Sequence, residues 1–279
     1  MDINFNILAA AKSTLKAESD AITKAIDFLN DDFLRSVQAI FNTKGRLVIT
    51  GIGKSAHIGQ KIVATLNSTG TPSLFMHAAE AVHGDLGMIT KDDVVLCISK
   101  SGNSPEIKVL APLLKRDGNI LIGMTGNESS FLGKSSDFVI NAYVEKEADP
   151  NNLAPTTSTT VQLALGDALA VALIEMRNFT ANDFAKFHPG GALGKKLLLK
   201  IKDILDGKNK PVVTVESTIQ QVIFEISNKR LGVTAVLDGS EIKGIITDGD
   251  IRRMLEKTTD LSAITAKDIM TVNPKSIEI

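Results

Sequence analysis

The stretch Leu47–Gly59, "LVITGIGKSAHIG", carries a Gly-Lys-Ser triplet directly after a short apolar run. Whether that triplet cradles a nucleotide, another phosphate or nothing decides the class of the protein. A nucleotide loop of the form G-x-x-x-x-G-K-[ST] sets a first glycine five positions before the second. Counting back from Gly53 reaches Val48, which excludes it. A dinucleotide fingerprint G-x-G-x-x-G fares little better. Gly51 and Gly53 are followed at the third position by Ala56, and no acidic residue closes a second strand about 20 residues on. What survives is geometry. Two glycines at the carboxyl end of a strand allow a tight turn, and the next helix presents free N–H groups and its positive dipole end to an anion. Lys54 and Ser55 add a charge and a hydroxyl there. The competing reading is a plain turn with a solvated lysine.

A second junction shifts that balance. "VVLCISKSGNSPEI" ends a buried strand with Ser99, Ser101 and Ser104 around Gly102, then enters a helix through Pro105 and Glu106. Hydroxyls every two or three residues at a helix N-terminus are what an uncharged phosphate cradle uses, although a serine-rich start also serves as a simple cap. Around these junctions β-rich runs ("RLVITGIG", "PSLFM", "DVVLCIS", "ILIGMTG", "FVINAYV") alternate with helical patterns near Ser55–Ser68 and Pro105–Asp117. The alternation predicts an α/β fold, a doubly wound parallel five-stranded sheet covered by helices on both faces. Its ligand crevice lies at the carboxyl ends of the strands. Two helices are expected ahead of the first strand, with Asn30 or Asp31 capping the second, and "TTVQLALGDALAVALIEMR" closes the domain with a long helix.

Composition bounds the function. The 279 residues are 43% hydrophobic and 23% charged, with 31 basic against 32 acidic residues and no basic tract, so nucleic acid is not an expected partner. The N-terminus lacks a signal-peptide pattern, and no apolar run is read as long enough to span a membrane; a cytoplasmic protein without a membrane partner is expected. The single Cys97 lies in an apolar strand and reads as a buried structural thiol, and neither a disulfide framework nor a metal cluster is expected.

Near residue 200, "FHPGGALGKKLLLKIKDIL" breaks the rhythm. The segments "PVVTVE", "TIQQVIFEISNKR", "VTAVLDG", "IKGIITD" and "GDIRRMLEK" then form a β-α-β-β-α module. Lys202-Asp-Ile-Leu205 recurs 65 residues later as Lys267-Asp-Ile-Met270, where a second copy would start. The expected domains are 1–200, a module over 201–263, and the beginning of a truncated second module over 264–279.

Four strings, "GIGKSAHIGQKIVATLNSTGTPSLFMHAAEAVHGDLGMI", "ISKSGNSPEI", "EKEADPNNLAPTTSTT" and "DFAKFHPGGALGKKLLLKIKDIL", resemble the KpsF/GutQ family of D-arabinose 5-phosphate isomerases. The resemblance extends from residue 1 to about residue 260. It implies a sugar isomerase (SIS) domain, a flavodoxin-like sandwich, followed by CBS modules. It further implies metal-independent, cofactor-free interconversion of D-ribulose 5-phosphate and D-arabinose 5-phosphate, feeding the Kdo sugar of lipopolysaccharide or capsule. A homo-oligomer, a tetramer, is expected with it, because family sites are completed across subunits. By motif, Lys54, Glu106, Glu147 and His188 carry catalysis, and His83 lies near the substrate with Ser55, Ser99, Ser101 and Ser104. Asp149 stands where a cysteine is common. In the CBS module, "GIITDGDIRR" places Thr247 and Asp250 at a nucleotide effector site, with a plain packing domain as the alternative.

Aldose–ketose isomerisation moves a proton between C1 and C2 through a cis-enediol, and one carboxylate on one face suffices. Such a base needs a raised pKa. Glu147 is the favoured base and Glu106 the alternative. Lys54 stabilises the enediolate, and His188 or His83 opens the sugar ring or relays hydroxyl protons. By composition alone Glu147 is one of several solvated loop charges, and His188 packs the turn before Pro189. His57 and His77 read as structural, and Asp85 as a cap or a histidine partner. Two other readings stand beside this one: a non-catalytic phosphosugar-sensing regulator, and an isomerase of another phosphosugar such as a hexose 6-phosphate.

Overall fold

The apolar runs read as strands are buried end to end. In the computed structural model, which describes residues 7–191, 194, 207, 209–258 and 260–277, β1 (Leu47–Gly51) is buried at every residue. With β2 (Ser73–His77), β3 (Val94–Ile98), β4 (Ile120–Thr125) and β5 (Phe138–Asn141) it forms an all-parallel sheet in the order β2-β1-β3-β4-β5. Strand periodicity sends successive side chains to opposite faces. Leu47, Ile49, Val94, Leu96 and Ile98 enter one core, while Val48, Val95 and Cys97 enter the other.

The helices divide between these faces. They are α1 (Ile7–Ile26), α2 (Asp31–Asn42), α3 (Lys54–Ser68), α4 (Ala78–Ala81), α5 (Pro105–Arg116), α6 (Phe131–Ser135), α7 (Thr157–Met176) and α8 (Ala181–Phe187). The first core takes Ala25, Ile40, Ile62, Leu66 and the Val161, Leu165, Leu169, Leu173 stripe of α7. The second takes Ala78, Ile107, Leu110, Leu114 and Leu132 from α4, α5 and α6. Asn30 caps α2 as expected, its side chain accepting from the Asp32 and Phe33 amides. The short helices α4, α6 and α8 are additions to the sequence reading. Four to seven residues cannot display a 3.6-residue period, and α8 is announced only by its Thr180–Asp183 capping box. One expectation is corrected: α7 is long and apolar enough to cross a membrane, with 20 residues and a mean hydropathy of 1.4. Its buried residues instead enter the first core beside α1, α2 and α3, and half of that span is buried.

The chain divides into two compact units, Met1–Leu198 and Leu199–Ile279. The second contains a mixed sheet of β6 (Val212–Thr214), β7 (Val233–Asp238), β8 (Glu241–Thr247) and β9 (Thr271–Val272). Helices α9 (Ile219–Lys229) and α10 (Asp248–Leu255) accompany it. β6 runs parallel to β7, β7 and β8 form an antiparallel hairpin, and β9 joins antiparallel to β8. Of the four-residue repeat, Lys202–Leu205 lies outside the described residues, and Lys267–Ile269 belong to the one-turn helix Ala266–Ile269.

Asp93 ties the entry of β3 to the entry of β1. Its carboxylate accepts from the Arg46 amide at 2.6 Å, the Thr90 amide at 2.7 Å and the Arg46 guanidinium at 3.3 Å. Burial raises its pKa, but these donors outweigh burial and hold it below the ordinary 3.8. A folded-state pKa lowered in this way contributes stability above the unfolded value, which is lost as pH falls through the lowered one. Asp93→Ala leaves the part-buried Arg46 and Thr90 amides without their acceptor and is expected to cost about 1–3 kcal/mol in urea unfolding at pH 7. The deficit relative to wild type should shrink as the pH is taken below about 4.

Candidate active site

Gly51 and Ile98 are the last register partners of β1 and β3, so both loops leave the sheet at one level. β1 lies between β2 and β3, where the strand order reverses, and open parallel sheets bind ligands at that point. After β1 the chain turns through Gly53 at φ +58°, a left-handed conformation that a side chain disfavours. Lys54 then opens α3, exposed and without an ion-pair partner among the described residues. Ser55 donates its hydroxyl to Gln162 Oε1 at 3.2 Å.

After β3 the serines coil about Gly102, at φ +65°, where a Cβ would stand 2.0 Å from Ser130 Oγ. The Ser99 hydroxyl accepts from the Gly102 amide at 3.1 Å and the Ser101 hydroxyl from the Asn103 amide at 3.3 Å, which leaves both hydroxyl protons available. Ser104 Oγ is buried and has no partner. These residues, with Lys54, Ser55, Lys100 and the start of α7 at Ser158 and Thr159, line a cavity of about 310 Å³.

Helix ends differ systematically. α2, α4, α6, α8, α9 and α10 begin with a side chain accepting from their first amides, supplied by Asn30, His77, Ser130, Thr180, Thr218 and Thr247. α3, α5 and α7, the three that reach the cavity, have no such cap from their N-cap residue. Uncapped first-turn amides are anion donors.

For α7 the anion is internal. Glu147, with a fully buried side chain, accepts from the Thr156 and Ser158 amides at 2.9 and 3.1 Å and from the Thr156 hydroxyl at 3.3 Å. Its Oε1 accepts from Ser158 Oγ at 2.5 Å and from Lys100 Nζ at 2.5 Å. The raised pKa expected for this carboxylate is overturned. Burial alone pushes it up, but Lys100, Ser158 and Thr156 together bring it down to about 2. Lys100, which the sequence reading passed over, is thus a second lysine of the cavity. The only hint was its place between Ser99 and Ser101. Asp149 accepts from the Leu153 and Ala154 amides and shapes the loop that carries Glu147.

The remaining candidates stand apart from the cavity. Glu106 lies in the first turn of α5, half-buried; like Glu147, which sits behind Lys100 and Ser158, it is not among the residues that line the cavity. His83 is exposed beyond α4. His188 ends α8 with its Nδ1 2.9 Å from the Phe184 carbonyl oxygen and its ring stacked on Phe184 at 3.9 Å. His77 caps α4, His57 is exposed on α3, and Asp85 opens a single 3-10 turn. Cys97 is buried, and burial pushes its thiol up to about 12. In the second unit Thr247 and Asp250 bond each other in a capping box, and the other Asp250 oxygen accepts from Arg253.

Residues 40–172 match the SIS domain family and residues 201–257 the CBS domain family. The chain is 50% identical to the arabinose 5-phosphate isomerase KdsD of Pseudomonas aeruginosa over 99% of its own length and 86% of that protein's. It is 45% identical to KdsD of Escherichia coli K12, over 96% and 82%. Among solved structures, E. coli CFT073 c3406 in complex with arabinose 5-phosphate superposes with a TM-score of 0.64 at 44% identity, covering 67% of this chain and 99% of that one. A putative phosphosugar isomerase of Bacteroides fragilis gives 0.63 at 35% identity over 67% and 99%.

Because Ser104 Oγ is unpaired, Ser104→Ala should leave the melting temperature unchanged or slightly higher. The same change should weaken binding of a sugar phosphate about tenfold by calorimetry, the loss of one hydrogen bond to a charged group.

Proposed function

Since the chain belongs to the arabinose 5-phosphate isomerase family, we propose that its SIS domain interconverts D-arabinose 5-phosphate and D-ribulose 5-phosphate. The observation that carries this is the donor set of the cavity. An unpaired buried hydroxyl, two further serine protons and two ammonium groups face a space that contains no competing ion pair except Lys100–Glu147. A phosphorylated, hydroxyl-rich ligand satisfies such a surface, and an apolar one does not. The identity of the sugar rests on the relatives.

The phosphate is assigned to the serine loop and the open end of α5, where it gains amide and hydroxyl donors together. C1 and C2 are assigned to the side of Lys54 and Glu147. In the aldose-to-ketose direction the carboxylate takes the proton from C2, the enediolate forms, and the same proton is delivered to C1 while the hydroxyl proton moves from O2 to O1. Glu147 is preferred over Glu106 because both groups bonded to its Oε1, Lys100 and Ser158, line the cavity. Lys54, a free cation, faces the negative charge that develops on the enediolate oxygens. His83 and His188 lie outside the cavity of one chain, so the ring-opening and relay role assigned to them belongs to a site completed by a second copy. A homo-oligomer, a tetramer, is proposed with it. Thr247 and Asp250 are kept as the nucleotide-effector candidates of the CBS module. Binding there has to compete with their mutual bond and with Arg253. A cytoplasmic location accords with a phosphosugar substrate.

Incubation with D-arabinose 5-phosphate and with glucose 6-phosphate, both with EDTA, is expected to give ketose from the pentose. Turnover of the hexose alone, or of neither, would overturn the reading. Lys54→Ala is expected to lower kcat on the order of 10²–10³-fold with little change in melting temperature, as for loss of one preorganised charge-stabilising group.

A further inference from the structure

Behind the cavity wall formed by Lys100 and Ser158, the proposed base is held as a weak one. Glu147 is buried, fully ionised and bonded to five donors, and Lys100 is the only cation among them. The two partners are unequally held. The Glu147 side chain is wholly buried, whereas the Lys100 side chain is 45% exposed. Without Lys100 the carboxylate would still accept from both Thr156 donors and both Ser158 donors, so it stays in place when the lysine leaves. The Lys100 backbone is equally fixed, since its carbonyl oxygen accepts from the Gly126 amide at 3.0 Å and the Thr125 hydroxyl at 3.3 Å. Only the side chain is at liberty. It springs from between Ser99 and Ser101, two of the hydroxyls that face the same cavity.

We propose that Lys100 is a substrate-responsive counter-ion of Glu147: a sugar phosphate seated on the serine loop draws the ammonium off the carboxylate and leaves Oε1 with the Ser158 hydroxyl as its one donor, open on the side the lysine held to take the substrate's proton. The electrostatics favour the transfer. A phosphate dianion carries twice the charge of a carboxylate, so at equal distance it attracts an ammonium twice as strongly. The groups that face Glu147 bear on its response. Lys100 comes from the loop after β3, Thr156 and Ser158 from the start of α7, and Asp149 from its own loop, with Lys54 across the cavity. Moving Lys100 away removes the one formal positive charge bonded to the carboxylate and raises its pKa. A carboxylate nearer the working pH is a better base in the complex than in the free protein. Lys100 acts through Glu147 and is a positioning residue. The proposal rests on the isomerase reading for the chemistry but on the cavity alone for the motion.

The motion is read without turnover. Protein carrying 13C at glutamate carboxyls, with the Glu147 signal identified by its loss in Glu147→Gln, is titrated from pH 4 to pH 8 with and without inorganic phosphate. The Glu147 resonance should be flat in wild type, begin to titrate when phosphate is present, and titrate in Lys100→Met whether or not phosphate is present. Lys100→Arg should restore the flat profile of the free protein. A wild-type signal that stays flat at saturating phosphate, a protein that binds no phosphate, or a Lys100→Met signal identical to wild type overturns the proposal. Kinetics give the second readout. Lys100→Met should raise the KM for D-arabinose 5-phosphate about tenfold and move the acid limb of kcat/KM to higher pH. It should also lower the melting temperature at neutral pH, because the buried carboxylate loses its one counter-ion, and Lys100→Arg should restore it. Coincident pH profiles for the two enzymes, or a fall in kcat alone, count against it. Inactivity of wild type on the pentose would refute the isomerase reading while the carboxyl titration still decides the motion.

Discussion

The pairing of Gly51 with Ile98 fixes where everything else in the first unit happens. β1 and β3 are neighbours in the sheet although β2 separates them in sequence, so their exits open side by side with no loop crossing between them. Burial on both faces enforces this arrangement. A one-residue slip of either strand would send Leu47 and Ile49, or Val95 and Cys97, into the wrong core. Because register is held by two cores at once, the Gly-Lys-Ser turn and the serine loop cannot drift apart. A site assembled from their backbone amides is therefore braced by the packing of the sheet itself.

Charge in the crevice is organised around Glu147. A lone buried carboxylate is costly, and four donors from the start of α7 together with Lys100 make it tolerable. The same donors make it a poor base in the absence of ligand. Burial and hydrogen bonding therefore oppose each other at this residue, and here hydrogen bonding wins. An enzyme that needs its carboxylate to be both fixed and basic has to separate the donors that fix it from the donor that neutralises it. The amides and hydroxyls do the first and the lysine does the second.

The strands and the long helices were legible in the sequence because two-sided burial writes continuous apolar runs and one-sided burial writes a 3.6-residue stripe. The serine loop was legible for a different reason: Gly102 and Pro105 punctuate it on either side of Ser104. The state of Glu147 was not. Its partners lie 9, 11 and 47 residues away, and only the fold-back of the loop after β5 onto α7 brings them together. Lys100 reads in sequence as an ordinary solvated charge, and its significance exists only across that loop. Ser55 was expected at the phosphate's edge; it does line the cavity, but Gln162, 107 residues on, takes its hydroxyl proton. His188 matched a family motif, yet its ring stacks on Phe184 and is not among the residues that line the cavity.

The capping pattern joins these threads. Six helices outside the crevice are closed by a side-chain oxygen or nitrogen at their N-cap, at positions where the sequence supplies Asn30, His77, Ser130, Thr180, Thr218 and Thr247. The three that reach the crevice begin instead with Gly53, with Ser104 whose hydroxyl makes no bond to its own helix, and with Thr156. Open amides at a helix end cost the empty protein stability that caps restore elsewhere. α7 recovers that cost through Glu147, while among the described residues no side chain does the same for α3 or α5. The lysine that neutralises the carboxylate behind the crevice wall therefore stands between two of the serines suited to a phosphate.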